Sequence, residues 1–410
     1  MKINYCKKCL NPSNHPLGII FSNEGVCGGC LVHEEKYQIN WDKKIEKLGN
    51  FFNSKKNKNK YYDCVIPVVG NGDDFFVTHV AKKVLKLNPL LVSYNTGFNT
   101  KVGIRNLARL ISKLDCDHFQ ITSNPNIIKK ISQNTFSKIS DFYWHILAGN
   151  QAFPVQVAVK MKIPIILWGV NGWLDQVGKF SHHHEAEMTK KIWEEFSLRN
   201  LITQKVIKKN INQKDVAPFI YPELDEIKKV GVRGIYLGNY VLWDAKKQTE
   251  EMIAKYGYET LKQQRTHNTY ESIYCKNNAG VHDYIKFLKY GYGKVTDHIN
   301  RDIRFKRISR EDAKFIVAKY ERNIPEDLNY FLKWIKLSKK QFFNKFKNNS
   351  FNFKESKYNK IKIDPIILNK IENKLHYIKT NNPEKENFDQ EYIVFGRTYM
   401  DEGNFKAVEG

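Results

Sequence analysis

The chain has 410 residues, 41% of them hydrophobic, and a net charge of +24, enough for one large core and a second module, since domains commonly run ~100 to 200 residues. The charge comes mainly from lysines dispersed along the whole chain, which argues against a dedicated nucleic-acid tail but would attract phosphates, anionic sugars or anionic lipid heads. Residues 1–11 lack the apolar core of a signal peptide, and no stretch approaches the ~18 to 20 apolar residues of a membrane span. The expectation is therefore a cytoplasmic protein without membrane insertion.

Seven cysteines fall as two close pairs, Cys6/Cys9 and Cys27/Cys30, and three singletons, Cys64, Cys116 and Cys275. In Cys6-Lys-Lys-Cys9 and Cys27-Gly-Gly-Cys30 the two-residue spacing lets both sulfurs of a pair face one ion from a tight turn, and four sulfurs can surround structural Zn²⁺ tetrahedrally. The 17 residues between the pairs fit a zinc ribbon or treble clef, and Gly28-Gly29 suits a sharp turn. Competing readings are vicinal thiols without metal, or redox chemistry at one CxxC. A closed four-sulfur site leaves no open position for catalysis. The three singletons read as packed thiols, because no partnered base is evident.

Next, residues 40–52 carry an apolar helical face (Trp41, Ile45, Leu48), and the polar run 53–60 reads as a linker. From Tyr61, short apolar runs alternate with helical patterns, which predicts an α/β fold with a parallel sheet wrapped by helices. The predicted strands are 64–69, 90–94, 118–122, 164–168 and 234–237. Predicted helices are 75–87, 101–114, 127–138 and 155–162, with Pro154 near the start of the last. Beyond Asp244 come amphipathic helices at 245–256, 281–291, 310–320 and 328–336. Residues 339–383 are rich in Lys, Asn and Phe and give only weak helical signals. The division is a zinc knuckle (1–38), helix and linker (39–60), the α/β domain (61–244), a helical substrate-side region (245–335) and a C-terminal extension (336–410).

Residues 63–69 followed by Gly70-Asn-Gly-Asp-Asp74 and a helix make a strand, a glycine turn and a helix N-terminus, which is a general anion site. Read alone the signal is weak, since such turns occur in every doubly wound domain. In open sheets ligands bind beyond the carboxyl ends of the strands, a crevice here lined by residues 69–74, 94–100 and 169–176.

The ordered succession is more specific. The cysteine knuckle, the 63–74 turn, Asn95-Thr-Gly-Phe-Asn-Thr-Lys-Val-Gly-Ile-Arg-Asn-Leu107, Ile163-Pro-Ile-Ile-Leu-Trp-Gly169, Ile235-Tyr-Leu-Gly-Asn-Tyr240, Gly280-Val-His-Asp-Tyr-Ile-Lys286 and Gly291-Tyr-Gly-Lys-Val-Thr-Asp-His298 together resemble the N-acetyl sugar amidotransferase family over residues 1 to about 320. The resemblance implies an ATP-pyrophosphatase (PP-loop, adenine nucleotide alpha hydrolase-like) domain. It implies a reaction in which the sugar's acetamido oxygen is adenylated and ammonia displaces AMP to leave an acetamidino group. Implied cofactors are ATP and Mg²⁺, and implied partners a sugar substrate and glutaminase and cyclase-like ammonia-supplying subunits. The setting is bacterial lipopolysaccharide, O-antigen or flagellin glycan biosynthesis.

Carried onto this chain, the resemblance assigns Asp73 and Asp74 to catalysis and Gly70, Asn71, Gly72, Asp73, Tyr94, Gly97 and Gly169 to the nucleotide. It assigns Asn99, Arg105, Asp175, His282, Asp283, Asp297, His298 and Arg301 to the substrate. The family loop reads Ser-Gly-Gly-Lys-Asp-Ser, which aligns with Val69, Gly70, Asn71, Gly72, Asp73 and Asp74. The hydroxyls and the lysine are replaced, and Asp74 adds a second carboxylate. Two unit charges ~4 Å apart interact by ~1 to 4 kcal/mol, so these changes predict weaker phosphate binding unless a divalent ion bridges. A second departure puts Val170 where the family carries an acid, with Asp175 near enough to stand in.

Some residues have ordinary alternatives. Ser181-His-His-His-Glu185 reads as a solvated loop rather than a metal site. Asp297/Arg301 and His298/Asp302 are also ordinary i,i+4 pairs, and Lys286, Lys289 and Lys294 read as a solvated face. The functional expectation is thus sugar amidotransfer, with a catalytically silent sugar- or partner-binding paralogue as one alternative. An RNA-modifying PP-loop enzyme is another, against which the 280–304 segments argue.

Overall fold

Short runs of β-branched and leucine residues form five strands: β1 (Cys64–Pro67), β2 (Pro89–Asn95), β3 (His118–Thr122), β4 (Ile165–Trp168) and β5 (Arg233–Tyr236). The computed structural model describes residues 3–55, 61–206, 211–347 and 361–381. The strands make one parallel sheet in the order β3-β2-β1-β4-β5, in which Val65 pairs with Leu90 on one side and Ile166 on the other. Strand order reverses direction at β1, so the carboxyl ends of β1 and β4 open the crevice where such sheets place their ligands.

Ahead of the sheet lie α1 (Gly28–Glu35) and α2 (Trp41–Lys55). Both sheet faces are covered, as an all-parallel sheet requires. Helices α3 (Gly72–His79), α4 (Lys101–Leu114) and Ala245–Tyr256 pack on one face through Ile66, Leu91, Leu110, Leu167 and Met252. On the other face, α5 (Pro125–Ile139) and α6 (Trp144–Lys160) bury Val65, Val92, Ile128, Trp144 and Ile166. Successive β1 residues thus serve opposite cores, the period of two expected of a strand.

Three expectations need correction. Pro154 does not start a helix: it lies inside the 17-residue α6, eleven of whose residues are buried. A mid-helix proline costs about 3 kcal/mol, and that burial outweighs it. The helix Ala245–Tyr256 belongs to the sheet's own helical layer, since it packs on α3. The expected linker begins as helix, because α2 runs to Lys55; residues 56–60 lie outside the described residues.

The C-terminal half adds Val281–Tyr290, Lys294–Arg304, Arg310–Tyr320 and Leu328–Ile335. Two short helices follow, Lys339–Asn344 and Pro365–Lys374, the latter seated on Val295, Ile299 and Val317 together with Leu10 of the knuckle. The rest of the extension, 348–360 and 382–410, lies outside the described residues. No described helix is long and apolar enough to cross a membrane.

Close packing of α6 on β2 sets a stability test. A Cβ at Gly149 would lie 2.6 Å from the Tyr94 ring, whereas one at Gly172 would meet nothing within 4 Å. Gly149→Ala should lower stability by about 1–3 kcal/mol in a denaturant titration, and Gly172→Ala should stay within about 0.5 kcal/mol.

Candidate functional site

The turn after β1 is built on its own carboxylate. Asp74 Oδ2 accepts the backbone N–H groups of Val69 (2.7 Å), Gly70 (2.8 Å) and Asn71 (2.9 Å). Gly70 has φ +90, and a Cβ there would lie 2.8 Å from the Gly103 carbonyl oxygen, so only glycine brings the turn this close to α4. The next residue, Gly72, lies against the Tyr258 ring, whose hydroxyl donates to the Tyr270 carbonyl. Backbone donors that the strand-turn-helix pattern reserves for an anion are thus engaged within the chain. Burial pushes Asp74 up to about 6 despite the three N–H donors.

Asp73 behaves differently. No hydrogen bond or ion pair reaches its carboxylate among the described residues, and burial, followed by the charges of Glu271 and Asp74, pushes it up to about 8. Arg301 is the cation that acts against this rise. It bonds Glu271 through both carboxylate oxygens, at 2.6 and 2.5 Å. On the wall after β4, Asp175 pairs with Lys36 Nζ at 2.9 Å, with both side chains almost fully buried. Burial opposes the Asp175 charge, but Lys36 and Arg301 outweigh it and hold the carboxyl well below its usual range. Asp73, Asp175 and Arg301, far apart in sequence, are therefore brought within mutual electrostatic reach.

The wall after β2 is tied to itself. Asn95 Oδ1 accepts the Gly97 N–H and Asn99 Nδ2, and Thr96 Oγ1 donates to Asn99 Oδ1. Thr100 caps α4 and donates its hydroxyl to the Ile273 carbonyl. A narrow cavity of about 20 Å³ lies between Val69, Ser93, Asn95, Thr96, Asn99 and Tyr274. The Tyr94 ring is buried in the core, with its hydroxyl 3.0 Å from His145 Nδ1, so only its backbone is available to a ligand. Gly169 packs under Trp243.

Other candidate substrate residues are held by protein partners. Arg105 grips Glu259, which Arg109 also holds. Asp283 accepts from buried Arg265 at 2.7 Å and from the Lys294 N–H. Asp297 pairs with Lys286 and lies 3.8 Å from His15, and His282 bonds Asp141 and stacks on Tyr143. His298 is buried, bonded to Thr266, and burial drives its pKa well down. The three lysines are not a solvated face: Lys294 is buried and pushed down to about 8 by that burial, while Lys286 and Lys289 are partly buried against Asp297 and Asp141. Of the three adjacent histidines, His183 and His184 are exposed, but His182 is buried edge-on to Trp41. Glu271 escaped the sequence reading because it sits in a polar stretch without periodicity; its single cue is its place between segments that do carry signal.

The cysteine knuckle fits a metal. Ligand atoms of Cys6, Cys9, Cys27 and Cys30 all lie within 4.8 Å of one another, and all four residues are buried. Cys9 and Cys27 sulfurs are 3.6 Å apart, close to the roughly 3.8 Å edge of a tetrahedron with Zn–S near 2.3 Å. Cys6 Sγ accepts the N–H groups of Cys9 and Cys27, and Cys9 Sγ accepts that of Asn11. Hydrogen bonding with Cys30, aided by Cys9 and opposed by Cys6, brings Cys27 down to about 6. These four residues would hold zinc as a structural ion. Cys64 and Cys275 are buried and Cys116 half-buried.

Residues 250–369 match a family model described as "LPS biosynthesis protein WbpG-like, C-terminal domain". No curated protein matches the chain. Among solved structures, an NH3-dependent NAD synthetase from Campylobacter jejuni is 15% identical, covering 47% of this chain and 92% of its own, with a TM-score of 0.27. An NMN synthetase from Francisella tularensis is 17% identical, covering 53% and 87%, with a TM-score of 0.26.

The unpaired Asp73 generates a pH prediction. Its folded value, about 8, lies above the ordinary 3.8, so the native state holds this proton more tightly than the unfolded chain does. The stability it confers is complete below about pH 4 and is lost as pH rises toward 8. Asp73→Asn should therefore melt with wild type near pH 4.5 and roughly 5 °C above it at pH 8.5 in thermal scans. Parallel melting curves across that range would refute the raised Asp73 acid.

Proposed function

We propose that this chain, which carries a WbpG-like lipopolysaccharide-biosynthesis domain beside a PP-loop-type parallel sheet, binds an N-acetylated bacterial surface sugar without adenylating it. The observation behind this reading is Asp74 Oδ2 seated on three successive loop N–H groups. A phosphate arriving there must displace the Asp74 carboxylate and lie near Glu271, with no loop lysine to offset the repulsion. The missing lysine is not a single-residue loss. A Cβ at Gly72 would already sit 2.9 Å from Thr249 Oγ1, so the helix Ala245–Tyr256 occupies the space that a longer side chain would need.

The second reading is a working amidotransferase, in which ATP adenylates the acetamido oxygen, pyrophosphate leaves, and ammonia from glutaminase and cyclase-like partners displaces AMP. Asp73 favours it, being the loop acid with no hydrogen-bond or ion-pair partner among the described residues and so available to Mg²⁺. That chemistry requires Asp74 to leave the backbone donors when Mg·ATP binds.

The two readings separate by calorimetry and pyrophosphate release with ATP, magnesium, ammonia and a panel of nucleotide-linked N-acetyl sugars. Wild type should bind a sugar and release no pyrophosphate. Asp74→Ala, which frees three N–H donors, should bind magnesium pyrophosphate at least tenfold tighter than wild type, while Asp74→Asn, which keeps an acceptor in place, should resemble wild type. Sugar-dependent pyrophosphate release by the unaltered protein would sink the silent reading in favour of amidotransfer.

A further inference from the structure

We infer that Arg304 is the strut through which the metal-loaded knuckle holds the loop after β4 in place, so that zinc occupancy sets the position of Asp175 and its neighbours. The inference stands whether or not the 70–74 turn binds nucleotide.

The contact between knuckle and loop is backbone on backbone. A Cβ at Gly29 would lie 2.3 Å from the Gln176 carbonyl oxygen, one at Gly28 2.7 Å from that of Val177, and one at Gly178 2.2 Å from Gly28 itself. Side-chain hydrogen bonds add directional ties across this contact. Arg304 provides them from Lys294–Arg304: Nη1 donates to the Asp175 carbonyl at 2.7 Å, Nη2 donates to that of Gln176 at 3.0 Å, and Nη2 lies 3.9 Å from Cys27 Sγ. Asn11 repeats the bridge with one amide, Nδ2 reaching Cys27 Sγ at 3.7 Å and the Gln176 carbonyl at 3.3 Å. Lys36, just past α1, holds the Asp175 carboxylate.

Electrostatics gives this arrangement a direction. Four thiolates around Zn²⁺ carry a net charge of about −2, and a buried charge of that size needs a cation beside it. Arg304 is that cation, and satisfying it fixes the plane of the guanidinium and with it the N–H groups that face the two carbonyls. Outer-shell partners of metal ligands commonly act in this way. Without the ion, the sulfurs repel or protonate, the guanidinium loses its anion, and the pull on both carbonyls slackens. Arg304 acts through Asp175 and is therefore a positioning residue.

The test uses the full chain loaded with zinc and follows amide hydrogen exchange of peptides spanning residues 169–178, with β1 and β2 as internal reference. Adding a zinc chelator to wild type should speed exchange over 171–178 at least tenfold while β1 and β2 keep their protection. Arg304→Lys keeps the charge but cannot fork to two carbonyls, so it should retain its metal against the same chelator challenge yet show fast loop exchange beforehand, with little further change on metal removal. Wild-type loop exchange in Arg304→Lys would overturn the inference. So would chelation that speeds the reference strands as much as the loop, because the knuckle would then be a general stability element. That wild-type arm decides the matter even where the variant fails to fold.

Discussion

One carboxylate oxygen bonded to three consecutive backbone N–H groups organises the turn at the centre of the molecule. The Asp74 bond to Val69, Gly70 and Asn71 sets the exit of β1, the start of α3 and the left-handed kink at Gly70 that lets the turn lie against α4. Hydrogen bonds to an ionised acceptor are worth about 1.5–3 kcal/mol each, yet loss of solvent still pushes the Asp74 acid up to about 6. Burial wins narrowly, so the turn is held by a charge it only partly solvates. A ligand phosphate offers the same donors more negative charge in the same confined space.

That constraint fixes the character of the crevice. Asp73, Asp74, Glu271 and Asp175 converge on it, and Arg301 and Lys36 answer two of them by direct pairing. The residual imbalance falls on Asp73, whose proton is retained to about pH 8. A chain with a net charge of +24 thus encloses an acid-rich centre. Its surface charge speaks to the sign of what approaches, and its interior to what can stay: a polar neutral group or a cation rather than a bare polyphosphate.

The sheet was legible because β-branched runs alternating with helical periodicity leave few arrangements, and every expected strand lies within two residues of the observed one. The cysteine spacing likewise placed four sulfurs around one point. Side-chain partners were another matter. Arg105 with Glu259, Asp283 with Arg265, and Asp297 with His15 span 18 to 282 residues of sequence, and nothing local announces such pairings. Residues that look available in a sequence were consumed by packing, and Glu271, which looks like surface, lies in the crevice. Pro154 misled for a related reason: local propensity favours a helix start there, whereas burial along α6 favours continuation.

The changes in the 69–74 turn are coupled rather than scattered. Gly72 leaves the space into which Thr249 leans and beside which the Tyr258 ring packs, and Asp74 fills the donors that a phosphate would otherwise organise. Each accommodates the next. A lysine at 72 would have to displace the helix Ala245–Tyr256, which is held at its start by the Asp244 pair with Arg307 and along its length by Met252 in the sheet core. Arg307 in turn reaches Asp302 on the same helical stretch that carries Arg301 and Arg304. The turn is therefore locked through that helix to the segment gripping the knuckle, and reopening it means moving a layer of the fold rather than exchanging one side chain.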